Sequence, residues 1–86
     1  MTILFQNQKL NLIITTHALQ RMKERDITKE LVLEVLESGT VKQKDEERFW
    51  VYKNIRSRTD NLICLAVKFE RTDLIVITTL INWKPK

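Results

Sequence analysis

Residues Leu62–Trp83 read LICLAVKF-ERTD-LIVITTLINW, two apolar runs parted by a short polar stretch. Such runs, rich in β-branched residues and divided by turn formers, read as two neighbouring strands. Side chains alternate along a strand, so each run divides into two faces. Ile63, Leu65, Val67 and Phe69, with Ile75, Ile77, Thr79 and Ile81, form the bulkier face and are assigned to a core. Cys64, Ala66 and Lys68, with Val76, Thr78, Leu80 and Asn82, form a smaller and more polar face. That second face is either an open working surface or one covered by a partner subunit or a terminal segment.

Upstream, Arg48–Ile55 (RFWVYKNI) reads as a third strand, joined to Leu62 by the loop Arg56–Asn61 (RSRTDN). Thr40–Lys44 reads as a short edge strand, with Asp45-Glu46-Glu47 as an acidic turn. Before Gly39 the period changes to that of helices. His17–Arg25 and Lys29–Ser38 are predicted helices, with Thr15 or Thr16 capping the first and Thr28 the second. Ile27 is placed to staple onto Val32, and Gly39 to end the second helix in a left-handed conformation. Lys9–Ile14 reads as a strand, and Pro85 ends regular structure. The order β-α-α-β-β-β-β predicts an α+β fold, with two N-terminal helices on one face of a mostly antiparallel four- to five-stranded sheet. Leu19, Met22, Leu31, Val35 and Leu36 are expected to pack on Ile63, Leu65, Val67, Ile75 and Ile77.

The 86 residues, 43% hydrophobic and 30% charged, suit one globular domain spanning 1–86. No run approaches the ~20 apolar residues of a membrane span, and Met1–Leu12 lacks the pattern of a signal peptide. The single cysteine, Cys64, has no disulfide partner in the chain, so a cytoplasmic setting is expected. One glycine cannot build a phosphate-cradling loop, and one histidine with one cysteine offers no metal cage, so neither cofactor nor metal is expected. The net charge of +4 is unevenly spread: Met1–Glu47 carries seven Lys/Arg against eight Asp/Glu, and Arg48–Lys86 eight against three. Such asymmetry suits a polyanion, because each phosphate neutralised releases counterions.

Two groups of residues bear on chemistry. On the first helix, His17 and Arg21 lie one turn apart on the polar arc, with Glu24 beside them and Arg25 at the flank. Histidine can exchange a proton near neutral pH, and arginine can hold phosphate; the plain alternative is a surface or capping histidine. The second group is Arg48, Arg56 and Arg58, with Trp50 and Tyr52 on the strand face of Arg48. Cations among aromatic rings can bind phosphates while bases stack; two aromatics at strand spacing also suit a core or a subunit interface.

The stretch Thr16–Thr28 (THALQRMKERDIT) resembles the opening motif HA-x-x-R-M-x-E-R-G-I-S/T of domain-of-unknown-function family 4258, with Asp26 at the usual glycine. The likeness continues through Leu31–Leu36 and the closing strands to Leu80. That family is similar to RelE/ParE-type toxins and the wider barnase-like, EndoU-like, colicin-like and RelE-like nuclease group. The resemblance implies a RelE/ParE-like fold and a metal-independent, toxin-type ribonuclease. It makes His17 a general acid/base, Arg21 and Arg25 phosphate binders, and Thr78 the polar residue of the closing strand; Lys68 is a further candidate phosphate binder beside them. Glu24 and Tyr52 are candidate second proton-transfer groups. Expected partners are RNA, a cognate antitoxin and a second copy of the chain, without a membrane. The alternative is a non-catalytic module of the same fold that binds nucleic acid or protein, including a ParE-like topoisomerase binder.

Overall fold

The chain opens with a hairpin absent from the sequence reading. In the computed structural model, which describes residues 1–55 and 62–81, β1 (Thr2–Phe5) pairs antiparallel with β2 (Gln8–Ile14). The two-residue turn places Gln6 and Asn7 at φ 49° and 65°. Positive φ at both central residues matches the twist of adjoining strands. Two helices follow, α1 (Thr16–Glu24) and α2 (Lys29–Ser38), then β3 (Thr40–Gln43), β4 (Arg48–Asn54), β5 (Leu62–Glu70) and β6 (Asp73–Ile81). They form a six-stranded sheet in the order β1-β2-β6-β5-β4-β3.

This architecture corrects the sequence-based fold. The sheet has six strands, not four or five, and the helices follow a hairpin instead of leading the chain. The sheet is also mixed: β2 runs parallel to β6, while the other pairings are antiparallel. The β3–β6 meander does match the reading, with β5 hydrogen-bonded to both β4 and β6. The predicted loop Arg56–Asn61 and the residues 82–86, with Asn82 and Pro85, lie outside the described residues.

Both helix starts follow their sequence signals. The Thr15 hydroxyl accepts from the Ala18 N–H at 3.0 Å and that of Thr28 from the Leu31 N–H at 3.1 Å. The left-handed helix end is elsewhere than predicted. Asp26, at φ 53°, follows α1, and the Ile27 N–H donates to the Met22 carbonyl at 2.8 Å. That is a Schellman end, with Ile27 and Met22 both buried beside it. Gly39 instead has φ −76° and ψ 170°, extended backbone open to any residue. It is confined by space. A Cβ there would overlap the Val35 carbonyl oxygen, stand 2.8 Å from that of Tyr52 and 3.2 Å from the Val51 side chain. Two of these three neighbours are backbone atoms that cannot rotate away. Gly39→Ala is therefore expected to destabilise by about 1–3 kcal/mol, as overpacking does. An unchanged urea midpoint would show that β3 shifts freely.

The core lies between the helices and one sheet face. Ala18, Met22, Val32, Val35 and Leu36 meet Leu12, Val51, Ile63, Leu65, Val67, Leu74 and Val76, all buried. Two expectations fail here. Leu19 is 51% exposed, because α1 packs through Ala18 and Met22. In the first half of β6 the buried residues are Leu74 and Val76, while Ile75 and Ile77 are half-buried on the other face. The cause is a bulge. Ala66 pairs with Thr78 but Val67 pairs with Val76, so Ile77 is an extra residue that resets the alternation. Beyond it Thr79 returns to the core, fully buried, and its hydroxyl has no partner among the described residues.

The bulge also positions α1. Pairing between β2 and β6 ends at Ile14↔Val76, leaving the rest of that β6 edge without a strand. The two ends of α1 cover it. The Thr15 N–H donates to the Val76 carbonyl at 3.2 Å, its hydroxyl donates to the Ile77 carbonyl at 3.1 Å, and the Arg25 guanidinium donates to the Thr79 carbonyl. An exposed strand edge is thereby closed by a helix.

Candidate nucleic-acid interface

Strand register lays out the sheet face away from the helices. Lys42, Trp50, Ala66 and Thr78 form one cross-strand row. The adjacent row runs Arg48, Lys68, Ile75 and Ile13, and the row on the other side Thr40, Tyr52, Cys64 and Leu80. Lysine, arginine and aromatic residues thus gather on β3–β5, while the isoleucines sit towards β2. A cleft of about 360 Å³ opens here, lined by Lys44, Arg48, Trp50, Ala66, Thr78 and Leu80. Ala66 is the reason it is a cleft, since a methyl group separates the larger Trp50 and Thr78 in the same row. The Lys44 ammonium stands 5.2 Å from the centroid of the Trp50 ring, a cation–π distance. A second depression of about 620 Å³ adjoins it, lined by the acidic turn, Arg48, Lys68 and Ile77.

Charge in this region is ordered by the turn. The Asp45 carboxylate accepts from the backbone N–H groups of Glu47 at 3.1 Å and Arg48 at 2.9 Å, and from the Arg48 Nε at 2.6 Å. Burial pushes the Asp45 carboxyl up, but these hydrogen bonds and the guanidinium charge outweigh it and hold it below the usual aspartate value. Lys68 Nζ lies 3.8 Å from a Glu47 carboxylate oxygen. Cys64 is fully buried, and burial pushes its thiol up to about 12, so no thiolate is available for nucleophilic chemistry.

The residues singled out from sequence separate into two places. Arg48, Lys68 and Thr78 meet on the open face, with Trp50 and Tyr52. Lys44 joins them although sequence reading passed over it; the available signal was its place two residues beyond Lys42, the register partner of Trp50. His17 and Arg21 lie on α1 and line neither of the two depressions. His17 is exposed and makes no hydrogen bond or ion pair among the described residues. Arg21 pairs with Glu24 at 2.8 Å, and that hydrogen bond holds the Glu24 carboxyl below its usual value. Arg25 is tied to the carbonyl of Thr79, the residue after Thr78, and does not line the cleft. Arg56 and Arg58 lie outside the described residues. Among the described residues no three His, Cys, Asp or Glu side chains cluster as metal ligands, and no helix is long and apolar enough to cross a membrane.

Residues 14–81, from the end of β2 to the end of β6, match the family described as Domain of unknown function (DUF4258). The chain belongs to DUF4258. No similar curated protein and no similar solved structure was found. The DUF4258 match begins after the β1–β2 turn, so it takes in both helices and the meander but not the hairpin. Structural duties occupy most of the α1 stretch. Ala18, Met22 and Ile27 are core residues, Thr28 caps α2, Arg25 closes the β6 edge, and Asp26 takes a left-handed position suited to glycine. His17, Arg21 and Glu24 of that DUF4258-like stretch are given no such duty.

Proposed function

We propose that this DUF4258 chain is an RNA-binding module that holds single-stranded RNA on the open face of its sheet. The observation that carries the reading is Trp50, flanked by Lys44, Arg48 and Lys68 above the small floor of Ala66 and Thr78. A ring of this kind stacks one base face to face, and the surrounding cations take the adjoining phosphates. The half-buried rim of Ile77 and Leu80 gives the base an apolar second wall. A duplex, whose bases are already stacked on each other, gains nothing from the tryptophan.

The test is a titration of a labelled single-stranded RNA at rising salt, followed by anisotropy. With two to four phosphates engaged, log K is expected to fall against log salt with a slope of about −1.4 to −2.8. Binding should be weaker to duplex DNA of equal length. An absence of binding at low salt overturns the reading. The toxin-type ribonuclease implied by the α1 motif is decided in the same tubes. It requires cleavage that survives chelator and is lost in His17→Ala, whereas the binding module leaves the RNA intact.

A further inference from the structure

The acidic turn lies against the cations that the RNA reading uses, and its two paired carboxylates are held differently. That of Asp45 is fixed by the N–H groups of Glu47 and Arg48 and spends one oxygen on Arg48, at 2.6 Å from both Nε and Nη2. An arginine has five N–H donors, so Arg48 is oriented by Asp45 and keeps donors for a phosphate. Glu47 is bound to the fold through its backbone, whose carbonyl accepts from the Phe69 N–H at 2.8 Å. Its side chain is 66% exposed and reaches Lys68 at 3.8 Å, a loose pair with no second anchor among the described residues. The Glu47 carboxylate can therefore leave Lys68 without disturbing the turn.

We propose that Glu47 is an internal competitor for Lys68, occupying the phosphate-binding ammonium until an RNA phosphate displaces it. The inference rests on the RNA reading and adds a regulating element to that site. The Glu47 carboxylate offsets the Lys68 charge and repels an incoming phosphate, so Lys68 contributes fully only once that carboxylate has moved away. The turn thus raises the threshold for weakly charged ligands, and a strand with closely spaced phosphates overcomes it best. Asp45 acts in the opposite sense, as a positioning residue for Arg48.

The experiment is the same RNA titration with wild type, Glu47→Gln, Lys68→Met, the double variant, and Glu46→Gln. Glu46→Gln makes the same charge change one residue away, at a side chain with no ion pair among the described residues. Glu47→Gln is expected to tighten binding about two- to fivefold at low salt, the worth of an exposed ion pair, with the gain fading as salt rises. In the Lys68→Met background the same substitution should give no gain, because pair and competition vanish together. An equal gain from Glu46→Gln, or an undiminished gain without Lys68, would show a bulk charge effect and overturn the competitor. Wild-type binding with no gain in Glu47→Gln overturns the competitor alone. Binding by none of the five proteins overturns the RNA reading itself.

Discussion

Leu65→Ala is expected to destabilise the fold by about 2–5 kcal/mol, the usual range for deleting a buried leucine side chain. Leu65 is fully buried on the middle strand of the meander, paired with Val51 on one side and Thr79 on the other, both also fully buried. Collapse into the vacated space is opposed from every direction. The flanking strands are held by ladder hydrogen bonds, and α1 is pinned to the β6 edge through Thr15 and Arg25. Thr79 supplies no relief, since moving its unpaired hydroxyl into the cavity gains it no partner. The value therefore belongs in the upper part of the range. For a domain of this size each kcal/mol moves the melting midpoint by roughly 4–8 °C, so a fall of more than about 10 °C is expected. A shift under about 4 °C would mean that the core closes over the gap and that Leu65 is not central to it.

Those same residues show what the sequence could and could not tell. The meander was legible because β5 is a nearly continuous apolar run between two strands joined to it by short polar stretches. Cap residues were legible because Thr15 and Thr28 act on N–H groups three residues away. Apart from the β1–β2 hairpin, whose Gln6-Asn7 turn is local, the failures are non-local or depend on one irregular residue. Parallel pairing of β2 with β6 is decided by where the chain returns, which no local pattern encodes. The bulge at Ile77 moved Ile75 and Ile77 out of the core while Leu74 and Val76 went in, although every one of these side chains is aliphatic. Leu19 was assigned to the core by periodicity, yet α1 lies along a strand edge and covers only a narrow arc. Gly39 and Asp26 exchanged their expected roles: steric closeness requires the glycine, and an aspartate takes the left-handed turn. In the site, period-two reasoning put Trp50 on the strand face of Arg48 and Lys68 with Thr78 on the smaller face; that the two pairs share one sheet face follows from strand register, which it did not supply. The motif on α1 gave the family, and of its charged residues only Arg25 is used in edge closure.

Trp50→Ala is expected to cost about 1–3 kcal/mol of RNA affinity, the range for one base stacked on an aromatic ring. The loss should fall on affinity and spare the salt slope, because the tryptophan neutralises no phosphate. Lys68→Ala should behave conversely, reducing the magnitude of the slope by roughly 0.7 for its one contact. That contrast separates stacking from ion pairing without a structure of the complex. Trp50→Phe retains a face on which a base can lie and is expected to recover much of the loss. Fold stability should change far less than in Leu65→Ala, since Trp50 is half-buried on the face away from the helices. Loss of the ring also frees the Lys44 ammonium from its cation–π contact, but an exposed contact of that kind is worth only about 0.5–1 kcal/mol. A Trp50→Ala protein that melts near wild type and binds RNA with undiminished affinity would remove the open face from the site. Cation clusters elsewhere, including Arg21 and Arg25 on α1, would then have to account for whatever binding remained.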